Sequence, residues 1–496
     1  MMRVVPRHFL VVPLVAMIAG CAVGPDFKSP DAPAAQRYNQ VPVAARTVSS
    51  KGLDGAAQQI VAGQVQDDWW ALFGSDKLNA LVAEGLAHSP NLDQLKATLR
   101  QAQENYNAQY GSTVFPQVDG SLSASRNRIS AATSGTGGSY IYNLYNASVN
   151  VSYTLDIFGG NRRELESSAA QVDSQQFQLE AARLTLAGNI VTAAITEASL
   201  RKQVEVTKQL VDLQQSQLDI LQKQFKLGAV SQADVSTQQT QVATIKASLP
   251  DLNKSLAQAR TQLAVLLGRT PDNGTPELSL EDLQLPTNLP VSLPSELVRA
   301  RPDIQASEAL VHAATAQVGV ATANLYPKIT LTGSLGLASQ SFKTVSFGND
   351  GLWSIGAGLA QPLFHGGSLR AQKRAAEAGL DASLAQYRQV VLNAFKNVSD
   401  SLQALDQDAL ALQARVDAAD AAKRSLDFTQ ARFKLGGTSF ASLLISQLQY
   451  QQTQLNMWTA SATRLTDTAA LFQSVGGPLK ADGAVANAAS APAAGG

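Results

Sequence analysis

The chain has 496 residues, 39 Lys plus Arg against 39 Asp plus Glu, and one cysteine. Balanced charge removes the electrostatic case for nucleic acid, and a lone cysteine excludes an internal disulfide framework or a multi-cysteine metal site. Aromatics make up only 6% while Ala, Gln, Leu and Ser abound, a coiled-coil composition that reads as one elongated body.

The first elements are targeting ones. Arg3, Arg7 and His8 form a basic start, and Phe9 to Ala19 is an apolar run too short to span a bilayer comfortably. It ends Ile18-Ala19-Gly20-Cys21, which resembles a bacterial lipobox. Residues 1–20 are then a lipoprotein signal peptide and Cys21 the lipidated N-terminus. The other reading is a plain secretory signal with a stray cysteine. Ala22, where an Asp would favour inner-membrane retention, points to the outer membrane.

Residues 21–67 lack helical or strand period and read as an extended tether. Helical pattern begins at Asp76 and runs to Tyr110, broken at Ser89-Pro90. Val118, Gly120, Leu122 and Ala124 then alternate with Asp119, Ser121, Ser123 and Ser125. Ala147, Val149, Val151 and Tyr153 oppose Ser148, Asn150, Ser152 and Thr154. Ile329, Leu331, Leu335 and Leu337 oppose Thr330, Thr332, Ser334 and Gly336. Trp353, Ile355, Ala357 and Leu359 oppose Ser354, Gly356, Gly358 and Ala360. These are four two-faced strands whose polar face is made of small residues. No proline interrupts Asn161 to Leu227, where Leu179, Leu186, Ala193 and Leu200, then Val206, Leu213, Ile220 and Leu227, recur every seven residues. Gly228 ends that helix, and a second runs from about Ser231 to Leu267. His365–Leu435 and Ser439–Val475 repeat the pair. Residues 477–496 are Ala- and Gly-rich and predict a disordered tail.

The chain therefore says the same thing twice. Pro90-Asn91-Leu92 answers Pro302-Asp303-Ile304, Phe115-Pro116 answers Tyr326-Pro327, and Phe225-Lys226-Leu227-Gly228 answers Phe433-Lys434-Leu435-Gly436 at an offset of about 208 residues. The domain layout read from this is a first repeat at 68–268, an inter-repeat linker in an equatorial belt at 269–301 and a second repeat at 302–476. No segment after the signal approaches the length of a transmembrane helix, so a membrane crossing would require a closed β-barrel. Four strands cannot close one. Two chains would give eight strands with a filled interior, and three would give twelve with room for a lumen. The alternative is a small soluble sheet packed on helices.

Several segments carry a family resemblance. They are Cys21-Ala22-Val23-Gly24-Pro25-Asp26-Phe27-Lys28, Asp68-Trp69-Trp70 with Phe73, Leu266-Leu267-Gly268-Arg269-Thr270-Pro271, and Leu293-Pro294-Ser295-Glu296-Leu297 through Arg301-Pro302-Asp303-Ile304. With them the chain resembles the TolC-like outer-membrane efflux proteins, in their lipid-anchored NodT-type branch. The resemblance implies a mostly α fold with a small transmembrane β part. It implies a homotrimer whose twelve-stranded β-barrel continues into a long periplasmic α-helical barrel. It also implies an exit duct for small molecules, served by a periplasmic adaptor and an inner-membrane pump of the resistance-nodulation-division type, in the outer membrane of a Gram-negative bacterium. A duct for type I protein secretion, a non-conducting envelope-spanning lipoprotein and a lipid-anchored enzyme are the competing readings.

The candidate sites follow. Leu227, Gly228 and Ser231, with Leu435, Gly436 and Ser439, are hairpin turns, and the resemblance makes them periplasmic tips where the adaptor docks. The family closes its mouth with acidic residues just past the second tip. Ser442 and Ile445 stand at those positions, Phe433 stands where the family has tyrosine, and Asp234 in the first half keeps its carboxylate. The expected gate then rests on packing around Phe440, Leu443, Leu444 and Ile445, unless these simply pack the coiled coil. His8, His88, His312 and His365 are scattered, with no metal-ligand spacing. Gly135-Thr136-Gly137-Gly138 lies between strands, outside any phosphate-loop context. No catalytic residue and no cofactor is expected. Asp68-Trp69-Trp70 reads as an aromatic anchor.

Overall fold

Strands and helices alternate in an order that repeats. β1 (Gln59–Ala62) is followed by a 3-10 turn (Trp69–Phe73), α1 (Asp76–His88), α2 (Pro90–Val114), β2 (Gln117–Ile129), β3 (Tyr140–Leu155), α3 (Gly160–Lys226) and α4 (Gln232–Leu266). Then come β4 (Asn288–Val291), α5 (Pro294–Ala300), α6 (Pro302–Ala323), β5 (Lys328–Ser339), β6 (Gly351–Ala360), α7 (Ser368–Lys434) and α8 (Phe440–Val475). The computed structural model describes residues 22–31, 35, 37–40, 42–132, 138–342 and 350–476. The signal run, Cys21, Gly135–Gly137 and the tail after 476 lie outside the described residues.

The second pass, α6–β5–β6–α7–α8, reproduces the first, α2–β2–β3–α3–α4. α3 and α7 have 67 residues each, about 100 Å at 1.5 Å per residue. The two compact units do not follow the repeats. One gathers residues up to 30, 98–176 and 306–388, and the other gathers 31–97, 177–305 and 389 onward.

In the first unit β2, β3, β5 and β6 form one antiparallel sheet in that order, without a bulge. α6 lies against the start of α3. Gln317 Nε2 donates to Ser167 Oγ at 2.9 Å, and Ser174 Oγ donates to the Ala306 carbonyl at 3.0 Å.

In the second unit α7 buries Val391, Val398, Leu405, Leu412, Ala419 and Leu426, one every seven residues, with Ala394, Leu402, Ala409 and Val416 on the flanking stripe. α3 buries Val204, Val211 and Leu218 in the same rhythm. The stripe noted in the sequence is a different one. Leu213 is 46% exposed, Ile220 53% and Leu227 84%, so beyond the half-buried Val206 the stripe Leu213–Ile220–Leu227 is a second, exposed apolar row.

The predicted tether also contains structure. β1 pairs in parallel with β4, Gln59 opposite Asn288 through Ala62 opposite Val291. Four-residue strands are too short to show a period. Trp69, 0% exposed, stacks on Phe472 at 5.5 Å between ring centroids, and Phe73 meets both rings. The Asp68-Trp69-Trp70 motif is thus an aromatic anchor in this unit's core.

Candidate functional site

The sheet divides its residues by face along its whole width. Register runs Val118–Val151–Gly333–Ile355, Gly120–Val149–Leu335–Trp353 and Leu122–Ala147–Leu337–Gly351. Between these rows lie Asp119–Asn150–Ser334–Ser354 and Ser121–Ser148–Gly336–Leu352, and beyond them Ser152–Thr332–Gly356. Alternation in sequence thus becomes an apolar face and a face of small polar groups. On the polar face Ser121 Oγ meets Ser148 Oγ at 2.8 Å, and Ser334 Oγ meets Ser354 Oγ at 2.8 Å. The apolar face is uncovered, with Leu122 and Ile355 each 84% exposed. Such a face suits hydrocarbon rather than water. β2 and β6 each present an unpaired edge within the chain. Among the described residues no helix is long and apolar enough to cross a membrane.

Both tips are built from the residues named in the sequence. Gly228 and Gly436 end α3 and α7 with φ of 73° and 72°, the left-handed conformation that glycine adopts without strain. Ser231 and Ser439 cap the next helices. Asp234 completes a capping box. Its carboxylate accepts from Ser231 Oγ at 2.7 Å and from Ser231 N at 3.0 Å. Those bonds hold its pKa below the usual carboxylate range. At the second tip Ser442 occupies the equivalent place, with its Oγ 3.0 Å from Ser439 Oγ. Leu227 and Leu435 are exposed at the turns.

The predicted gate residues divide. Leu443 and Leu444 are buried within the chain, and Phe440 packs on Leu218, Leu221, Val235 and Val242 of the α3–α4 hairpin. Phe433 and Phe440 have centroids 6.0 Å apart. Ile445, between the buried Leu444 and Ser446, is instead 68% exposed. Two further layers fasten α8 to the first hairpin. Leu448 joins Leu210, Val211 and Ile245. Gln447 Oε1 accepts from Gln214 Nε2 at 3.2 Å, and Gln214 Oε1 accepts from Gln238 Nε2 at 2.7 Å. All three glutamines are buried.

Two other clusters join segments far apart in the sequence. In the first unit the Gly24-Pro25-Asp26-Phe27 segment is clamped. A Cβ on Gly24 would lie 2.5 Å from the Gly319 backbone, Asp26 pairs with Arg163, and the Phe27 ring stacks on His312 at 4.3 Å. Glu166 bridges the pair, accepting from Arg163 Nη1 at 2.7 Å and lying 2.8 Å from His312 Nε2. Burial pushes its pKa up, but these two partners outweigh burial and hold it low.

In the second unit Arg464, 0% exposed, donates to the Asp54 carbonyl at 2.6 Å, the Ala56 carbonyl at 2.9 Å and Thr47 Oγ1 at 3.1 Å. Asp54 accepts from Ser461 Oγ. Burial pushes the Asp54 carboxyl up to about 6 against the pull of Ser461 and Arg464. Burial, then the hydrogen bond and charge of Asp467, push Asp408 up to about 7.

The comparisons agree with this geometry. The family described as "Outer membrane efflux protein" matches residues 81–269 and 293–477, once in each repeat. The chain is 28% identical to the "Probable efflux pump outer membrane protein TtgC" of Pseudomonas putida, covering 93% of both chains. It is 28% identical to "Nodulation protein T" of Rhizobium leguminosarum bv. viciae, covering 91% of this chain and 89% of that one. Among solved structures it superposes on the outer-membrane channel OprN with a TM-score of 0.82 and 28% identity, covering 92% of this chain and all of that one. A family of channels rather than enzymes, with a sheet divided into an apolar and a polar face, places the protein in the outer membrane, and the chain belongs to the outer membrane efflux protein family.

Proposed function

We propose that three copies of the chain close a twelve-stranded barrel that continues into a helical duct through which small molecules leave the cell. The observation that carries this reading is the four-stranded sheet with two open edges and two chemically distinct faces. Hydrocarbon tolerates no unpaired strand edge. Four strands from each of three chains close the circle with a lumen, whereas eight would leave the interior filled. The uncovered stripe Leu213–Ile220–Leu227 on α3, with Leu392, Leu410 and Phe428 exposed on α7, supports helix-to-helix contact between copies. The Ser, Thr and Gly face then lines water.

The duct performs no chemical step. Its energy comes from an inner-membrane pump of the resistance-nodulation-division type, through a periplasmic adaptor that docks at Leu227, Gly228, Ser231, Leu435, Gly436 and Ser439. Two tips per chain present six around a trimer. Residues 1–20 are the signal peptide, and Cys21 is lipidated. Residues 21–67 lead from that anchor, 68–268 and 302–476 are the two repeats, 269–301 forms the belt linker, and 477–496 is the tail. The mouth closes by contact between copies at Ile445, with Phe440, Leu443, Leu444 and Ser442 supporting it and Asp234 engaged as a cap.

Native mass spectrometry of the detergent-extracted protein, followed by planar-bilayer conductance, tests the reading. A lipid-bearing trimer that conducts is the expected result. A stable monomer or dimer as the sole species, or a trimer without conductance, overturns it. An intact Met1 or an unmodified Cys21 overturns the lipid assignment alone.

A further inference from the structure

Two arginines break the apolar face of the sheet. Along β2 the residues on that face are Val118, Gly120, Leu122, Ala124, Arg126 and Arg128. Across from them on β3 stand Val151, Val149, Ala147, Tyr145, Asn143 and Ile141. Pairing is continuous through Ile129–Tyr140, so no bulge returns the arginines to the polar face. Both are exposed, and neither takes part in an ion pair among the described residues.

Their height in the membrane can be worked from the register. The apolar rows extend from Leu155–Ile329 to Ala124–Tyr145–Ser339. At about 3.3 Å per residue and a tilt of about 40°, that stretch of β3 rises about 25 Å along the membrane normal. This equals the usual height of a barrel's lipid-facing band. Tyr145, 5.8 Å from Phe342 between ring centroids, marks its upper margin, where aromatic girdles sit. Arg126 lies one row higher and Arg128 two, about 5 and 10 Å beyond the hydrocarbon, at the depth of the headgroups. The β2–β3 hairpin connection leaves from this end of the sheet, and the helices leave from the other.

We propose that Arg126 and Arg128, with Asn143 beside them, bind the phosphate groups of a phosphorylated glycolipid in the outer leaflet. The proposal rests on the barrel reading above. A guanidinium presents a planar fork to two oxygens of one phosphate, and it is shed from water more readily than an ammonium. Two such forks on alternate residues of one strand face stand about 7 Å apart. They point into lipid rather than into the duct, so the occupant is a lipid and not a passing solute. Two positive charges just above an apolar band, with no counterion among the described residues, suit an anionic headgroup whose acyl chains lie along the Leu122, Val149 and Leu335 surface beneath.

The test uses the full-length trimer and measures binding of diphosphoryl lipid A, fully dephosphorylated lipid A and inorganic phosphate. Diphosphoryl lipid A is expected to bind about tenfold more weakly to the R126Q/R128Q variant, with R126K/R128K in between. Dephosphorylated lipid A is expected to bind wild type and variant alike, and millimolar inorganic phosphate should displace nothing. Equal binding of diphosphoryl lipid A to wild type and R126Q/R128Q overturns the proposal. So does displacement by phosphate alone, which would make this a soluble-anion site. Conductance in bilayers free of glycolipid is expected to be unchanged in R126Q/R128Q, which shows the variant folded. A wild-type trimer that binds the glycolipid but does not conduct would count against the duct and leave this site standing.

Discussion

The Asp54 carboxylate gives a pH dependence whose sign and size can be worked in advance. It is 7% exposed, and burial raises its pKa from 3.8 to about 6. An acid whose pKa is raised by folding binds more protons folded than unfolded between those two values. Stability is therefore fully present below pH 4 and is lost as pH rises through 6. A rise of that size corresponds to about 3 kcal/mol. The segment concerned is held by bonds between the Thr47 amide and the Gln58 carbonyl at 2.9 Å and between the Gln58 amide and Thr47 Oγ1 at 2.9 Å. Hydrogen exchange of the peptide covering residues 45–62, corrected for intrinsic rate, reads its local opening. Protection should fall about 100-fold between pH 4 and pH 8. Asp54→Asn keeps the Ser461 bond and suits the positive φ of 57° at this position. It should remove most of that fall. Protection that is flat or rises with pH in the wild type would refute the reasoning.

Three further outcomes follow from the same geometry. Val151→Arg or Leu331→Arg places a charge on the apolar face and should cost about 2–4 kcal/mol of membrane assembly near the midplane. Arginine at Ser152 or Thr332 should leave assembly intact and change conductance, and equal damage from both sets would mean the faces are misassigned. Leu412→Ala, in the middle of the α7 seam and 0% exposed, should lower stability by about 2–5 kcal/mol, read as the trimer's thermal midpoint in detergent. Ile445→Ala should raise resting conductance while Asp234→Asn, which keeps an acceptor oxygen for Ser231, should change it little; the reverse pattern would assign the gate to the first-half carboxylate.

The strand faces were legible because a period of two survives any register that pairs strands without bulges, and these pair without one. The helices were legible because α3 runs 67 residues without a proline and ends at glycine. Choosing which heptad stripe is buried was not possible from one sequence, since Val204–Val211–Leu218 and Val206–Leu213–Ile220 look alike until a partner is in place. The first half of β3, Tyr140 to Asn146, escaped because tyrosines and asparagines blur the alternation there. Arg464 and Asp54 are 410 residues apart in sequence, and nothing local to either announces the other. Of the tip residues, the glycines and serines could be placed by helix-ending rules alone. The exposure of Ile445 could not, because an apolar residue next to Leu443 and Leu444 reads as core whether or not its own chain covers it.

The glutamine layer is where α8 can part most cheaply from the first hairpin. Gln214, Gln238 and Gln447 stand as a polar layer between apolar ones, and Gln238 Oε1 accepts from no donor among the described residues. A buried polar layer contributes less to association than an apolar one, because water can take over its hydrogen bonds once the helices separate. Removing one member alone strands the others. Gln447→Leu leaves the Gln214 amide without its acceptor at 3.2 Å and should cost about 1–3 kcal/mol. Replacing all three by leucine removes every stranded group and should be neutral or stabilising. If α8 moves against α3 when the mouth opens, two outcomes are expected. The triple variant should melt higher than Gln447→Leu, and its mouth should open less often in single-channel records, even though three polar residues have been lost. A triple variant less stable than the single one would mean the layer is a satisfied clamp, and unchanged opening would mean the mouth moves elsewhere.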